Sequence, residues 1–532
     1  MTGFAPLFIG MDGADDELRP DAAGSKAALL SRMSRLGLNV PPAFVLPTTL
    51  CAPVARNEPQ AIATLERGLR DGVARLEKAT SRRLGDVRAP LVVSVRSGAA
   101  QSMPGMLATV LDVGLNADSV HGLIGLTGNP RLAWDSYRRF VQIYAEVVAD
   151  VPAAAFDACL VDMIRAENVE AAADLDPEAL ERLTHEFQEI AARAPGAAVP
   201  DDPMEQLAAA SRAVYRSWSS RRAKEYRRLN KLDDLAGTSV TIQAMVFGNA
   251  GGNSGAGVAF SRNPATGAKE LYVDFLFDAQ GEDIVSGRRM TGGVTTLTTR
   301  LPQAAKELAE GTTRLEREFR DVQDVEFTVE NGTLFFLQTR AAKRTPLAAL
   351  RILVDLVHEG LLDPATAVAR AAEIDLDRAR ITRFADQVPP AAAATVASPG
   401  VATGRVAFDS AHAQALAARN EPVILVRHDT STEDVAGFAA AAGILTAVGG
   451  RTAHAAVVAR QLGKVCLVGC RALKIHASGR CAEIAGKKIE DGDWLSLDGD
   501  SGEVTLGRRK IVAELPQAEL SEIAAWRQRE AS

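Results

Sequence analysis

The sequence holds no block of five or six like charges, and its 60 lysines and arginines against 67 aspartates and glutamates leave a formal net charge of −7. A surface that binds phosphodiester backbones concentrates cations in one place, so nucleic acid is not an expected partner. Long hydrophobic runs are also missing. The longest, Ala436 to Gly449, is broken by glycines and is too short to cross a bilayer. The opening residues, MTGFAPLFIGMDGADDE, lack the basic stretch of a secretory signal and turn acidic at once, which predicts a cytoplasmic protein with no membrane partner. Five cysteines (Cys51, Cys159, Cys466, Cys470, Cys481) are an odd, scattered set that suits reduced core thiols better than a disulfide frame. The spacing Cys466-x3-Cys470 is wrong for a two-by-two zinc site. What is present is ample core material: 47 % hydrophobic residues over 532 positions, enough for about three or four ordinary domains.

The apolar periodicity predicts a helix from Lys26 to Leu36, ended by Gly37, and then an extended run from Ala43 to Leu46. A β-rich run, Pro90 to Val95, empties into a loop from Arg96 to Met106. From about Leu132 to Tyr226 the pattern is helical, which predicts a helical insertion inside a larger α/β unit. Strand character returns at Ser239–Phe247, Gly257–Ser261, Glu270–Phe277, Val325–Val329 and Leu334–Gln338. The last two flank Asn331-Gly332, the strongest short-range hairpin signal. A helical stretch from Pro346 to Arg380 precedes Val388-Pro389-Pro390-Ala391-Ala392-Ala393-Ala394, whose composition suits a spacer before a second domain at about 395 to 510.

Three segments could carry chemistry. In Gly449-Gly450-Arg451-Thr452-Ala453-His454-Ala455-Ala456-Val457-Val458-Ala459-Arg460, a strand ends in a double glycine and His454 stands where a helix begins. A neutral imidazole there can attack phosphorus without first losing a proton, and the helix start offers amide hydrogens to phosphoryl oxygens. A histidine at such a place can equally be a cap or a core residue. The run from Phe247 to Pro264 carries five glycines, Gly251 and Gly255 among them, and can turn backbone amides onto an anion. It lacks the Gly-Lys-Ser/Thr of a Walker A loop, and on its own it reads as well as a flexible turn. On the late hairpin, Asp324 and Glu326 precede Gln338 and Arg340. Carboxylate and amide oxygens suit Mg²⁺ on nucleotide phosphates, and an arginine can grip the same phosphates in bidentate fashion. The alternative is a solvent-facing position in a strand, and Lys26 and Arg96 are open to the same plain reading.

Taken in order, these segments resemble the pyruvate, phosphate dikinase family: Gly24-Ser25-Lys26, Arg96 to Met106, Phe247 to Pro264, Ala279-Gln280-Gly281-Glu282-Asp283, Glu326 with Gln338-Thr339-Arg340, and Gly449 to Arg460. The loop from Ser94 to Met106 looks like the dikinase version, whereas Arg451 before Thr452 looks more like phosphoenolpyruvate synthase. The resemblance implies an α/β multidomain chain. An ATP-grasp nucleotide-binding region would span 1–345, with a helical insertion at about 115–235. A helical segment and linker would follow at 346–394, then a swivelling α/β phosphohistidine domain at 395–510 and a C-terminal helix at 511–532. It further implies an ATP-dependent dikinase-type phosphotransferase. Lys26, Arg96, Gly251, Gly255, Asp324, Glu326, Gln338 and Arg340 would hold ATP, with Glu326 and Gln338 on Mg²⁺. His454 would attack the β-phosphorus, and inorganic phosphate would take the γ-phosphoryl group, leaving AMP, pyrophosphate and phospho-His454. Thr452 matches the position that a regulatory kinase modifies in some relatives. The resemblance stops before the family's third part, a TIM barrel that binds pyruvate or phosphoenolpyruvate. The acceptor is therefore expected on a separate barrel subunit, or to be another small molecule, and a homodimer is allowed. Two alternatives remain on the sequence: a non-catalytic ATP-binding partner of a full-length dikinase, and a small-molecule dikinase of the antibiotic-modifying type.

Overall fold

The computed structural model describes all residues except 1–5, 12–16, 102, 104, 195, 197, 286–291, 377, 430–433, 451–453, 477–479 and 531–532, and it leaves the side chains of 282, 285, 454, 457, 461 and 530 undescribed. The chain forms two compact units, residues 1–251 with 335–338, and residues 252–334 with 339–532. Among the described residues, no helix is long and apolar enough to cross a membrane.

The first unit is built on a five-stranded sheet in the order Leu7–Ile9, Ala43–Leu46, Thr238–Ala244, Val93–Ala99, Thr109–Val113, antiparallel throughout. Between the last of these in space, Thr109–Val113, and the central Thr238–Ala244, the described chain is helical, from Ala117–Thr127 to Arg221–Leu229. The sequence writes the helix starts plainly. Asn129-Pro130, Asp176-Pro177 and Asp202-Pro203 each place a side-chain oxygen on a first-turn amide and a proline where no amide hydrogen is needed. Trp134, Phe140, Phe156, Phe187 and Tyr215 fill the core between these helices and the sheet.

The second unit contains a four-stranded sheet in the order Thr333–Ala341, Gln323–Glu330, Gly255–Phe260, Tyr272–Phe277, with residues 335–338 of the edge strand counted in the first unit. Asn331 and Gly332 both take positive φ (49° and 82°), the conformation that a two-residue hairpin turn requires. It also contains an eight-stranded sheet whose middle, Val401–Ala407, Val423–Arg427, Gly443–Thr446 and Val465–Val468, is parallel. The last three of these strands are almost wholly apolar because helices such as Ser410–Ala417 and His454–Leu462 pack against the sheet. The C-terminal helix Gln517–Glu530 lays Ile523 and Trp526 into the core around Leu350 and Leu353, with His358 Nε2 at 2.7 Å from Glu522 Oε2.

Three local expectations change. The strand Val93–Ala99 pairs with Thr238–Ala244 along its full length, so Arg96 lies in a strand and the loop starts only after Ala99. The helical stretch 346–380 breaks at Gly360 (φ 69°) into Pro346–His358 and Pro364–Ala371. The Ala/Pro spacer is not a single loose thread. Ala392–Ala393 joins the large sheet beside Glu503–Leu506, and the incoming Ile381–Phe384 pairs with the outgoing Ile511–Glu514, so the module is entered and left through a two-stranded ribbon.

Candidate functional site

In the first unit, Gly24 interrupts the helix Pro20–Arg35 with φ 79° and ψ 155°, so the helix that carries Lys26 effectively starts after it. A side chain at Gly24 would lie 2.1 Å from the Gly98 carbonyl oxygen. That absence lets the helix start press onto the strand that carries Arg96. Ser239 Oγ fastens the junction by donating toward Ala23 O (2.6 Å) and Gly98 O (2.9 Å), and Ser25 Oγ donates to Ala99 O at 3.0 Å. Lys26 and Arg96 are therefore brought to one helix–strand junction, both half-buried. Arg96 Nη1 lies 3.4 Å from Gln243 Oε1. Gly24, Gly98 and Ser239 do this positioning, and only the glycine pair and its neighbours in Gly24-Ser25 and Ser97-Gly98 hint at it in the sequence.

The glycine-rich run divides. Gly251 lies in the loop, with φ 102° and open space around it. Gly255 instead lies within the strand Gly255–Phe260, paired with Val329 on one side and Phe277 on the other. A Cβ there would meet Phe275 Cζ at 2.2 Å and Leu276 O at 2.6 Å. The strand expected to start at Gly257 starts two residues earlier, at Gly255, so Gly255 and Gly257 serve sheet packing and only Gly248, Gly251 and Gly252 lie between the strands.

In the second unit, Asp324, Phe260 and Tyr272 are cross-strand partners, as are Glu326, Val258 and Asp274, so all six side chains share one sheet face. Asp324 (4 % exposed) accepts from Arg340 Nε at 2.8 Å through Oδ2, while its buried Oδ1 has no hydrogen-bond partner. Burial raises the Asp324 pKa against the pull of Arg340, and Glu326 raises it further. Burial opposes the Arg340 charge, but Asp324 and Glu326 outweigh it and lift its pKa. The face thus holds an acidic pair with one oxygen left for a cation and an arginine fixed beside it. Gln338 lies on the edge strand, in the part counted with the first unit. Among the described residues, no group of three or more His, Cys, Asp or Glu is placed to hold a metal, so a cation here would rest on fewer protein ligands plus those of a substrate.

His454 is the first residue of the helix His454–Leu462, which follows the buried strand Gly443–Thr446. Its ring and Thr452 lie outside the described residues. Six residues on, Arg460 is 1 % exposed and donates through Nη1 to Ala397 O at 2.9 Å. Three of the five cysteines, Cys51, Cys466 and Cys470, are buried, and burial pushes the Cys466 thiol up to about 12, which suits core thiols and not nucleophiles.

Comparison with known proteins gives two domain matches. The pyruvate phosphate dikinase AMP/ATP-binding domain matches residues 61–301, and the mobile domain of PEP-utilising enzymes matches residues 419–502. The chain is 43 % identical over 509 residues to the chloroplastic pyruvate, phosphate dikinase of Flaveria trinervia, covering 94 % of this chain and 53 % of that protein. Against the pyruvate, phosphate dikinase of Clostridium symbiosum it is 41 % identical over 508 residues, 94 % of this chain and 58 % of that protein. The chain spans about half the length of the curated relatives it matches.

Proposed function

The chain belongs to the pyruvate, phosphate dikinase family, and we propose that it forms a phosphohistidine at His454 from the β-phosphate of ATP. In this reading 1–345 is an ATP-grasp region with its helical insertion, and 395–510 is a swivelling carrier. Lys26, Arg96, Gly251, Gln338 and Arg340 hold the nucleotide. Glu326, Gln338 and the unpartnered Oδ1 of Asp324 hold Mg²⁺, which supplies charge neutralisation on the phosphates. Gly255 is left with a packing role.

A nitrogen of His454 attacks Pβ and expels AMP, which leaves a diphosphoryl group on the ring. Inorganic phosphate then attacks Pγ, the bond from Pγ to the bridging oxygen breaks, and pyrophosphate departs. Phospho-His454 passes its phosphoryl group to pyruvate held on a barrel subunit, or to another small acceptor. Thr452 is the candidate site of regulatory phosphorylation, and the cytoplasm is the expected compartment.

The observation that carries this reading is that His454 opens a helix inside the matched mobile domain, behind a parallel strand, on a module joined to the rest by a paired ribbon. A helix start suits a phosphoryl group, and a carrier on short connections suits a group that visits two stations. The test is to supply Mg²⁺, inorganic phosphate and ATP labelled at the β position. The expected result is label on the protein, AMP and pyrophosphate in solution, and no label on His454→Asn. Wild-type chain that stays unlabelled under these conditions refutes it.

A further inference from the structure

The sheet face that carries Asp324 and Glu326 is not left to the nucleotide strands alone. Arg460, from the helix that starts at His454, has its guanidinium carbon 5.7 Å from the centre of the Phe260 ring. Phe260 is the middle of the cross-strand row Asp324, Phe260, Tyr272, and the next row along contains Asp274 and Glu326. Asp274 and Asp324 are 2 % and 4 % exposed and Arg460 is 1 % exposed, so the cation and the acids that act on it through their charge are all held away from water. Burial works against the Arg460 charge, while Tyr272, Cys466, Asp274 and Asp324 favour it. A guanidinium over an aromatic ring, flanked by carboxylates, is a directional contact that a lysine reproduces poorly.

Resting on the proposed phosphohistidine chemistry, we infer that Arg460 is the positioning residue that pins the histidine-bearing helix to the phosphate-handling sheet face. Its two attachments are on different parts of the second unit. Nη1 is tied to Ala397 O within the carrier's own sheet, and the rest of the group lies over Phe260. The intervening helix acts as a ruler. Six residues at about 1.5 Å each set His454 roughly 9 Å along the axis from the anchor. The helix start is thereby aimed from a fixed point instead of being left to diffuse on its ribbon. Removing the anchor leaves nucleotide binding intact and costs alignment, and misplacement of about 1 Å in such a step costs on the order of 10²-fold in rate.

The test compares Arg460→Met, Arg460→Lys and wild type in the full chain. Two measurements are made: hydroxyl-radical footprinting at Phe260 and Tyr272, and single-turnover labelling from β-labelled ATP alongside the equilibrium Kd for MgATP. Footprinting at Phe408, in the core of the carrier module of the same unit, reports whether a variant has simply misfolded. The inference expects R460M to raise reactivity at Phe260 and Tyr272 several-fold, leave Phe408 unchanged, hold Kd within about threefold and slow labelling by on the order of 10²-fold, with R460K intermediate. If R460M misfolds, R460K carries the same comparison at smaller amplitude. Unchanged footprints overturn the inference whatever the labelling does, and so does labelling at the wild-type rate. Wild-type chain that takes no label, with footprints that still rise in R460M, sinks the phosphohistidine reading and leaves the docking contact standing.

Discussion

Gly24→Ala isolates the junction that brings Lys26 and Arg96 together. At φ 79° and ψ 155°, Gly24 sits in a region of backbone space that residues with a side chain avoid, at a cost of roughly 1–3 kcal/mol. A Cβ at this position would also lie 2.1 Å from Gly98 O and 2.9 Å from Ser239 Oγ. The first of these is a backbone atom in a strand paired on both sides, so it cannot yield without disturbing the sheet. Forced overpacking of this kind costs about 1–3 kcal/mol more. Gly251→Ala is the internal control, because its φ is 102° but no heavy atom lies within 4 Å of the added carbon. G24A should therefore be less stable than G251A by the overpacking cost alone, about 1–3 kcal/mol in urea unfolding, a sizeable part of the 5–15 kcal/mol that holds an ordinary domain together. ATP affinity should fall in G24A as the Lys26 helix start lifts from the strand. Equal stability of the two variants would refute the claim that close approach, and not backbone conformation alone, demands glycine at this junction.

Gly255→Ala should destabilise the chain by about 1–3 kcal/mol through the clash with Phe275, with ATP affinity of the folded fraction unchanged, as equilibrium binding would show. Arg262 is fully buried and donates to Glu316 Oε1 at 2.7 Å and Glu359 Oε2 at 2.9 Å. Arg262→Met leaves Glu316 buried without its cation and should cost about 3–5 kcal/mol in denaturant unfolding. Arg340→Met should cost less, roughly 1–3 kcal/mol, because the Arg340 side chain is 39 % exposed to screening solvent. This loss depends on pH. The folded pKa of Asp324 is already above the usual 3.8, and losing Arg340 raises it again, so the folded state binds more protons than the unfolded one through that window. The R340M deficit should therefore grow as pH rises from the ordinary carboxylate range through the raised value, and then level off. A deficit that stays constant all the way from the ordinary carboxylate range to pH 8 would show that Asp324 does not depend on Arg340.

Local physics made much of this molecule readable. Asn331-Gly332 can hardly do anything but turn a hairpin. Asp-Pro and Asn-Pro pairs announce helix starts because cap and missing amide are both written in the dipeptide. The apolar runs Val423–Val426 and Gly443–Ala447 read as strands by composition, and the structure has strands at Val423–Arg427 and Gly443–Thr446. Asp324, Glu326, Arg340 and His454 could be picked out because charged or titratable residues in apolar or glycine-rich settings stand apart from their neighbours. Tertiary structure decided what depends on partners distant in sequence. Gly24 is glycine because of a carbonyl 74 residues away, and Gly255 because of a ring across the sheet. Arg96 is in a strand because Thr241 pairs with it, and Ala392 and Ala393 of the Ala/Pro spacer are in a strand because residues 503 and 504 lie alongside. The burial of Arg460 over Phe260 is a contact across 200 residues that no local pattern encodes. Propensity and capping act within a few residues, whereas close approach and burial of charge are set only once the chain has folded back on itself.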